Sequence, residues 1–317
     1  MRWIFQMLAD PRPARVDELA SITVTFNPDL SILKRQLSAL QEVGRIILVD
    51  NASEPAILRD VRDLVSKFTG VELIENSSNE GLAAALNSGV ARASSFQGRY
   101  RAVLLLDQDS VFTADVPGRL LSALNQVQAE TGTLCCVGPV LVDPDTKLAH
   151  GFHYIENGWL WSRAYPAADA PPFELANLNG SGTTMSLEMV ERIGEFDAAM
   201  FIDHVDTEWS FRVASRKFGL FGIPWISFYH RMGESGRRIW LFGWRVWPER
   251  SPLRHFYLYR NTIWLLRRGY VPAIWKAWAV VKMVLTLFIV TISDRRRSKQ
   301  LGMIWKGVMD GVRKVSK

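Results

Sequence analysis

Two aspartates separated by one residue, Asp107 and Asp109, close the apolar run Ala102-Val103-Leu104-Leu105-Leu106. Residues two apart on an extended chain project to the same side, so the two carboxylates repel unless a cation lies between them. A hard divalent ion with oxygen ligands fits such a pair, and ions of that kind usually also hold substrate phosphates. The run reads as a strand buried on both faces, and ligands of open α/β sheets sit at the carboxyl ends of such strands. The spacing points to a metal–diphosphate site at a strand end. The plainer alternative is that the acids cap a helix or shape a turn.

A second acidic group follows far along the chain. Asp203, Asp206 and Glu208 fall within six positions, with His204 among them. Transfer of a group to a hydroxyl needs a base for the hydroxyl proton, and a carboxylate at a helix N-terminus stays ionised and held in place. Asp206 is the best candidate, and Glu208 points elsewhere on the same first turn. A helix start decorated with acids for the sake of the dipole is the competing reading. His230 follows an apolar strand, and neutral imidazole is a common metal ligand. Beside paired acids it reads as a third ligand, although a lone strand-end histidine is more often structural.

These residues need elements to position them. Strands are expected at 20–26, 45–49, 71–74 and 102–106, alternating with helices at 30–43, 55–68 and 80–95. That order is the pattern of a doubly wound, mostly parallel sheet. The turn Asn27-Pro28-Asp29 after the first strand has no glycine, which argues against a nicotinamide or flavin dinucleotide site. Further on, the pattern predicts a helix at 116–128 and a strand at 134–141 interrupted at Gly138-Pro139. A hairpin over 150–165 and a glycine-rich loop, Asn179-Gly180-Ser181-Gly182, come next. Helices at 187–193 and 206–218 follow, the second closed by Gly219. A last strand at 220–229 carries Pro224 and is therefore expected at an edge.

The 317 residues are 48% hydrophobic, enough for a sizeable core, and the formal net charge is +6. The basic excess is concentrated after Ile292, in Arg295, Arg296, Arg297, Lys299, Lys306, Arg313, Lys314 and Lys317 against Asp294 and Asp310. Nine of the twelve tryptophans lie beyond residue 200, and Trp240, Trp244 and Trp247 fall at i, i+4 and i+7. Residues 271–293 are strongly apolar, with Lys276 and Lys282 as their only charges. Their length is near the roughly 20 residues needed to cross a bilayer. Two internal lysines favour a helix lying in the interface instead, and a core helix packed on the domain is the alternative. Tryptophans beside an Arg-Arg-Arg cluster suit a lipid surface better than nucleic acid, whose binding needs basic residues on the folded domain. The adjacent cysteines Cys135 and Cys136 read as small core residues of a reduced, cytoplasmic protein. No secretory signal is evident, since the run Met1–Leu8 is short and meets Asp10-Pro11-Arg12-Pro13.

The segments Val24-Thr25-Phe26-Asn27, Val49-Asp50-Asn51-Ala52-Ser53, Asn79-Glu80-Gly81-Leu82-Ala83, Leu105-Leu106-Asp107-Gln108-Asp109-Ser110, Asp203-His204-Val205-Asp206-Thr207-Glu208 and His230…Ser235 occur in this order. Together, over roughly residues 20 to 265, the ordered set resembles inverting glycosyltransferases of family two, which have the GT-A fold. The runs ending in Asp109-Ser110 and Thr207-Glu208 are similar to the bacterial rhamnosyltransferase branch, which serves surface-polysaccharide and rhamnolipid synthesis.

The resemblance implies a nucleotide-sugar donor, dTDP-L-rhamnose, and Mg²⁺ or Mn²⁺. It implies as acceptor a hydroxyl of a lipid-linked or membrane-bound glycan. A UDP-hexose is the alternative donor, and a non-catalytic membrane or nucleic-acid module the alternative class. Asp50 would bond the nucleotide base with Phe26 close by, Asp107 would contact the ribose, and Asp109 the metal. His230 would approach the metal or the diphosphate, and Asp206 would be the base. Asn27, Asn51, Asn79, Gly81, Asn87, Gln108, Gly180 and Ser181 complete the expected donor set. Relatives carry Glu-Asp where this chain has Val205-Asp206, which leaves the base open among Asp203, Asp206 and Glu208. The expected division is an extension at 1–18, a catalytic domain at 19–235 and an aromatic, basic helical region at 236–317. The nucleotide half of the domain would be 19–110 and the acceptor half 111–235. The last region would hold the chain peripherally at the cytoplasmic face of the membrane.

Overall fold

The computed structural model describes residues 15–230, 235–240 and 244–313. The first half alternates as the hydrophobic periodicity requires: β1 (Leu19–Thr25), α1 (Leu30–Ala39), β2 (Arg45–Asp50), α2 (Pro55–Val65), β3 (Val71–Glu75), α3 (Leu82–Ser94) and β4 (Ala102–Asp107). Local signals set the boundaries. Asp29 caps α1 by accepting from the N–H groups of Ser31 and Ile32, and Pro55 opens α2 where no amide donor is needed. Then come α4 (Val116–Thr131), β5 (Cys135–Val142), β6 (Ala149–His150), β7 (Phe152–Glu156), β8 (Leu160–Ala164), β9 (Phe173–Glu174), β10 (Thr184–Ser186), α5 (Leu187–Ile193), α6 (Val205–Ser215) and β11 (Gly219–Tyr229). The chain continues through β12 (Ser235–Trp240), β13 (Trp244–Glu249), α7 (Pro252–Arg267), α8 (Ala273–Ser293) and α9 (Arg297–Arg313). Most of the expected N-terminal extension, and residues 231–234 of the expected motif after His230, lie outside the described residues.

A nine-stranded sheet runs in the order β3-β2-β1-β4-β10-β5-β11-β9, with β6 beside β5. Strands β3, β2, β1 and β4 are parallel, and β10 inserts antiparallel between β4 and β5. The sheet is covered on both faces. Ile22, Ile47, Val49, Val103 and Leu105 point into one apolar layer; Leu19, Ile46, Leu48, Leu104 and Leu106 point into the other. Each such side chain contributes about 1.5–3 kcal/mol by leaving water. Cys135 and Cys136 follow the same alternation and fall in opposite layers as free thiols, so they cannot meet.

Four expectations change. Strand β5 is continuous through Gly138-Pro139, and β11 is flanked by β5 and, at Phe221 and Gly222, by β9. Pro224 is tolerated because the β5–β11 register shifts between Ile223 and Ser227, directly after the pair Pro139–Ile223. Missing amide donors thus fall where the ladder is already broken. Helix α6 ends at Ser215, and Gly219 opens β11 instead of closing the helix. Trp240, Trp244 and Trp247, despite their helical spacing, stand on the β12–β13 hairpin, where Trp240 pairs with Trp244 and Arg237 with Trp247.

Helices α7, α8 and α9 share a small core of Leu258, Tyr259, Val290 and Ile304. Gly307 of α9 sits against the backbone of Phe256, where an added Cβ would lie 2.4 Å from the carbonyl oxygen, so the two helices cross closely.

Helix α3 carries the Asn79–Gly89 segment onto the sheet through Gly89. A Cβ there would lie 2.4 Å from Ile22 Cγ2, on a fully buried central-strand residue with no room to shift. Gly89→Val is expected to lower stability by about 1–3 kcal/mol through overpacking. Chemical denaturation reads the change, and an unaltered midpoint would contradict this account of the contact.

Candidate active site

Strand β4 ends at Asp107, and the following residues are fixed from three directions. Gln36, fully buried on α1, accepts from Thr23 Oγ1 at 3.0 Å and donates to the carbonyls of Asp107 (2.8 Å) and Ser110 (3.1 Å). Ser181, from the glycine-rich loop, accepts from the Asp107 N–H at 3.2 Å and pairs with Ser110 Oγ at 2.6 Å. Val111 exchanges two backbone hydrogen bonds of 2.9 Å with Tyr229 at the end of β11. That last pairing brings His230 to the acids. Its Nε2 lies 3.5 Å from Asp107 Oδ2 and its Nδ1 3.1 Å from Asp109 Oδ1.

Ligand atoms of Asp107, Asp109 and His230 lie within 4.8 Å of one another. The approach of His230 Nδ1 to Asp109 is close but misaligned, and this buried nitrogen makes no hydrogen bond. Burial pushes Asp107 upward; His230 opposes this and Asp109 adds to it. Burial lowers His230, but Asp109 and Asp107 outweigh it and the imidazole ends above its ordinary value. Two carboxylates and one imidazole, whose Nδ1 is the orphaned atom, grouped at the strand ends fit a divalent ion. A groove of about 620 Å³ between α7 and α9, lined by Phe256, Tyr257, Arg260 and Trp305, has no such acid pair.

The other acids differ sharply in their surroundings. Asp206, in the first turn of α6, accepts from the N–H groups of Gly180 (3.1 Å) and Thr207 (2.7 Å). Burial raises its pKa, those two backbone bonds oppose the rise, and Asp107 adds to it. The glycine-rich loop thus joins the two acidic groups, through Ser181 on Asp107 and Gly180 on Asp206. Close approach demands glycine at Gly182, with φ +84° and Pro139 Cδ 2.5 Å from an added Cβ. At Gly180 a Cβ would meet only Asp206 at ordinary distance.

Asp203 and Glu208 are committed elsewhere. Asp203 holds Arg254 of α7 through two bonds of 2.6 and 3.1 Å. Glu208 is 1% exposed and sits between Arg212 at 2.7 Å and Arg268 at 2.9 Å, with the Tyr270 hydroxyl donating to it. Ion pairing of this kind leaves neither oxygen set free to receive a proton from a substrate.

The turn before Asp206 is unusual. Phe201, Asp203 and His204 have φ of 63°, 63° and 64°, a region that side chains disfavour. Asn261 of α7, fully buried, holds it by donating to the carbonyls of Met200, Ile202 and Asp203 at 2.8–2.9 Å. Arg260 donates to the carbonyls of Ala199 and Met200. Phe201 is also gripped from α3, whose Leu82 N–H donates to its carbonyl at 2.6 Å. Gly81, at φ +86°, lies so close that a Cβ would be 2.6 Å from the Phe201 ring.

The expected donor residues lie mostly at the ends of β1, β2 and β3. Phe26 is 46% exposed, and its backbone is clamped by Gln108 through bonds of 2.8 and 3.3 Å. Asp50 is fully enclosed and satisfied by Thr25 Oγ1 and by Ser53 N–H and Oγ. Ser53 in turn accepts from the Asn27 N–H, so Asp50 shapes the loop instead of offering a free oxygen. Asn51 donates to Asn79, which accepts from the Gly81 N–H, tying the second and third loops together. Asn87 faces away, bonded in both directions to the backbone of Phe196. Gln36, Arg254 and Asn261 escaped the sequence reading. The signal for Gln36 was a polar residue inside the apolar stripe Leu33-Leu37-Leu40.

Arg254 holds Asp203 below the usual carboxylate range despite the upward push of burial. A depressed folded-state pKa gives stability that is present above the unfolded value and lost as pH falls. Arg254→Met is expected to cost about 1–3 kcal/mol at neutral pH, the scale of charged hydrogen bonds. The gap to the parent protein should close as pH falls through the carboxylate range. Denaturation midpoints across pH read this, and a gap constant with pH would refute the assignment.

Residues 22–165 match the sequence profile of glycosyl transferase family 2. The chain is 27% identical over 297 residues to the dTDP-rhamnosyl transferase RfbF of Shigella flexneri, covering 93% of this chain and 96% of that one. Similar folds occur in GalNAc-T7 with UDP, GalNAc and Mn²⁺ (TM-score 0.56, 16% identity, 94% of this chain and 55% of that one). They occur also in the mannosyltransferase PcManGT of Pyrobaculum calidifontis with GDP-Man and Mn²⁺ (TM-score 0.55, 14% identity, 93% and 87%). A third is S. aureus TarS 1–349 (TM-score 0.54, 11% identity, 93% and 81%). Profile and relative agree with the acidic motifs joined across one glycine-rich loop, the solved structures share the fold, and over residues 22–165 the chain is similar to glycosyl transferase family 2.

Proposed function

We propose that the chain transfers L-rhamnose from dTDP-L-rhamnose to a hydroxyl of a lipid-linked or membrane-bound acceptor, with inversion at the anomeric carbon. The observation that carries the reaction type is the convergence of Asp107, Asp109 and His230 with Asp206 across one glycine-rich loop. The sugar follows from the near full-length similarity to a dTDP-rhamnosyl transferase.

In this reading Asp107, Asp109 and His230 would hold Mn²⁺ or Mg²⁺, which when bound would supply charge neutralisation for the departing diphosphate. Exposed Phe26 and the Asn51–Asn79–Gly81 loop frame the nucleotide, with Asp50 acting through Ser53 and Asn27. Asp206 takes the acceptor hydroxyl proton as that oxygen bonds to the anomeric carbon. The bond from the anomeric carbon to the diphosphate breaks, and dTDP leaves. The Gly180 and Thr207 N–H groups fix the Asp206 carboxylate, while α7 fixes the turn that presents it. Asp203 and Glu208 serve as positioning residues through their ion pairs.

The catalytic unit is read as continuing beyond residue 235, because α7 braces the turn before Asp206. Membrane contact is assigned to α8, which is long and apolar enough to cross a bilayer by length and composition. Val281, Val284, Phe288 and Ile292 stand 57–65% exposed along one stripe of it. The Arg295–Arg297 cluster that follows supports a helix lying on an anionic, cytoplasmic leaflet.

Release of dTDP from dTDP-L-rhamnose in the presence of acceptor tests the reaction. Asp206→Asn is expected to lose about 10²–10⁴ in kcat, the usual worth of a general base. Chelation should abolish turnover and added Mn²⁺ or Mg²⁺ restore it. Because burial raises Asp206 and a base works ionised, kcat should fall with decreasing pH along a limb displaced above the ordinary Asp value of about 3.9. Full activity in Asp206→Asn or Asp109→Ala, or preference for a UDP-hexose, would overturn the assignment.

Cosedimentation with phosphatidylglycerol vesicles tests the surface. Val284→Asp with Phe288→Asp should abolish it while leaving the fold intact; unchanged partition would remove α8 as the contact.

A further inference from the structure

Beside the paired acids, the β7–β8 hairpin, α8 and the start of α7 enclose a second charged region. His153 on β7 lies opposite Arg163 on β8, and Trp161 is two residues before Arg163, so the three share one face of the hairpin. That face meets α8. The Trp161 and Trp278 rings are 6.1 Å apart, and His153 is 6.5 Å from Trp278. One turn along α8, Lys282 Nζ lies 4.6 Å from the centre of the Trp278 ring. Arg250, just before the Ser251 cap of α7, is within electrostatic range of Lys282 and of Asp203.

The charges here do not balance. Asp203 is already committed to Arg254. Among the described residues, Arg163, Arg250 and Lys282 have no ion pair within 4 Å. Cations that outnumber the one carboxylate near them, Asp203, disfavour their own charged forms. Burial, then Arg250 and Arg163, brings Lys282 down to about 8. Burial, then Arg163 and Lys282, holds His153 down to about 3. Trp161 is 9% exposed and its Nε1 has no acceptor, and neither has His153 Nδ1. Negative charge and acceptor oxygens are what the region lacks, and a phosphate group supplies both.

Position narrows the source. His153, Asn177, Asn179 and Ser181 line one small pocket, so the hairpin adjoins the glycine-rich loop, where Ser181 accepts from the Asp107 N–H. On the other side, Lys282 is followed on α8 by the exposed apolar stripe through Val284 and Phe288. An anion held here has a reacting centre on one side and an apolar surface on the other.

We propose that Arg163, Arg250 and Lys282 receive the phosphate of a lipid carrier on which the acceptor sugar is mounted. The inference deepens the transferase reading and rests on it. The donor diphosphate has its own place at Asp107, Asp109 and His230, so the two anions do not compete. The carrier chain would leave along α8.

Binding of a fluorescent farnesyl diphosphate to the full chain tests this, with dTDP and Mn²⁺ at saturation to fill the donor site. Farnesol and inorganic pyrophosphate serve as the comparison probes. Farnesyl diphosphate is expected to bind at least about tenfold tighter than either. Arg163→Gln and Lys282→Met should each weaken it by about tenfold, one charged hydrogen bond's worth, with dTDP affinity unchanged. Arg163 is exposed, so its variant keeps the test independent of folding; melting temperature checks the Lys282 variant. Equal binding in parent and variants, or no preference over farnesol, would overturn the site. Pyrophosphate binding as tightly as farnesyl diphosphate would overturn the lipid carrier. Intact binding differences without donor turnover would count against the transferase reading alone.

Discussion

Confinement of negative charge is the constraint around which this molecule is arranged. Asp107 and Asp109 place carboxylate oxygens within 4.8 Å of each other, and Asp206 adds to the field felt there. At an effective dielectric of 20, two unit charges at that separation repel by about 3–4 kcal/mol. One imidazole offsets only part of this. The sheet makes the arrangement possible, because strands buried on both faces end together and leave their last residues no alternative direction. Gln36, Ser181 and the Val111–Tyr229 pairing then fix the acids against their own repulsion.

Backbone strain at 201–204 is the second cost, and its compensation comes from far away in sequence. Left-handed residues cost on the order of 1–3 kcal/mol each and persist only when surroundings over-determine them. A single amide, on Asn261, satisfies three carbonyls of that turn, and Arg254 neutralises the one acid inside it. Helix α9 reinforces α7 through the close crossing at Gly307. The C-terminal helices are therefore joined to the chemistry through backbone carbonyls, and any lipid contact they make lies one helix away from Asp206.

Much of this was legible in residue order. Alternating apolar runs gave the first seven elements within a few residues, since β1, β2 and β4 are buried on both faces and the helices between the strands cover them with one apolar side. The convergence of Asp107, Asp109 and His230 followed from reading strand ends as neighbours. What eluded the reading depends on contacts distant in sequence. Pro224 predicts an edge only if the ladder is otherwise regular, and the register shift that follows the Pro139–Ile223 pair breaks that assumption. Tryptophan spacing fits a helix and a hairpin alike when burial on neither face is known. The ion pairs that set Asp203 and Glu208 apart from Asp206 involve arginines 51 and 60 positions downstream, Arg254 and Arg268, which no local pattern connects to them.

Bracing of the 201–204 turn by Asn261 also says where the protein can be recombined. Exchanging residues 19–235 between relatives, a natural cut by composition, would part the turn from the amide that holds it. A junction in the loop after α7 keeps both in one parental background, along with the Arg254–Asp203 pair. Chimeras built for new sugar preferences therefore have a seam that helix count and hydropathy would never nominate.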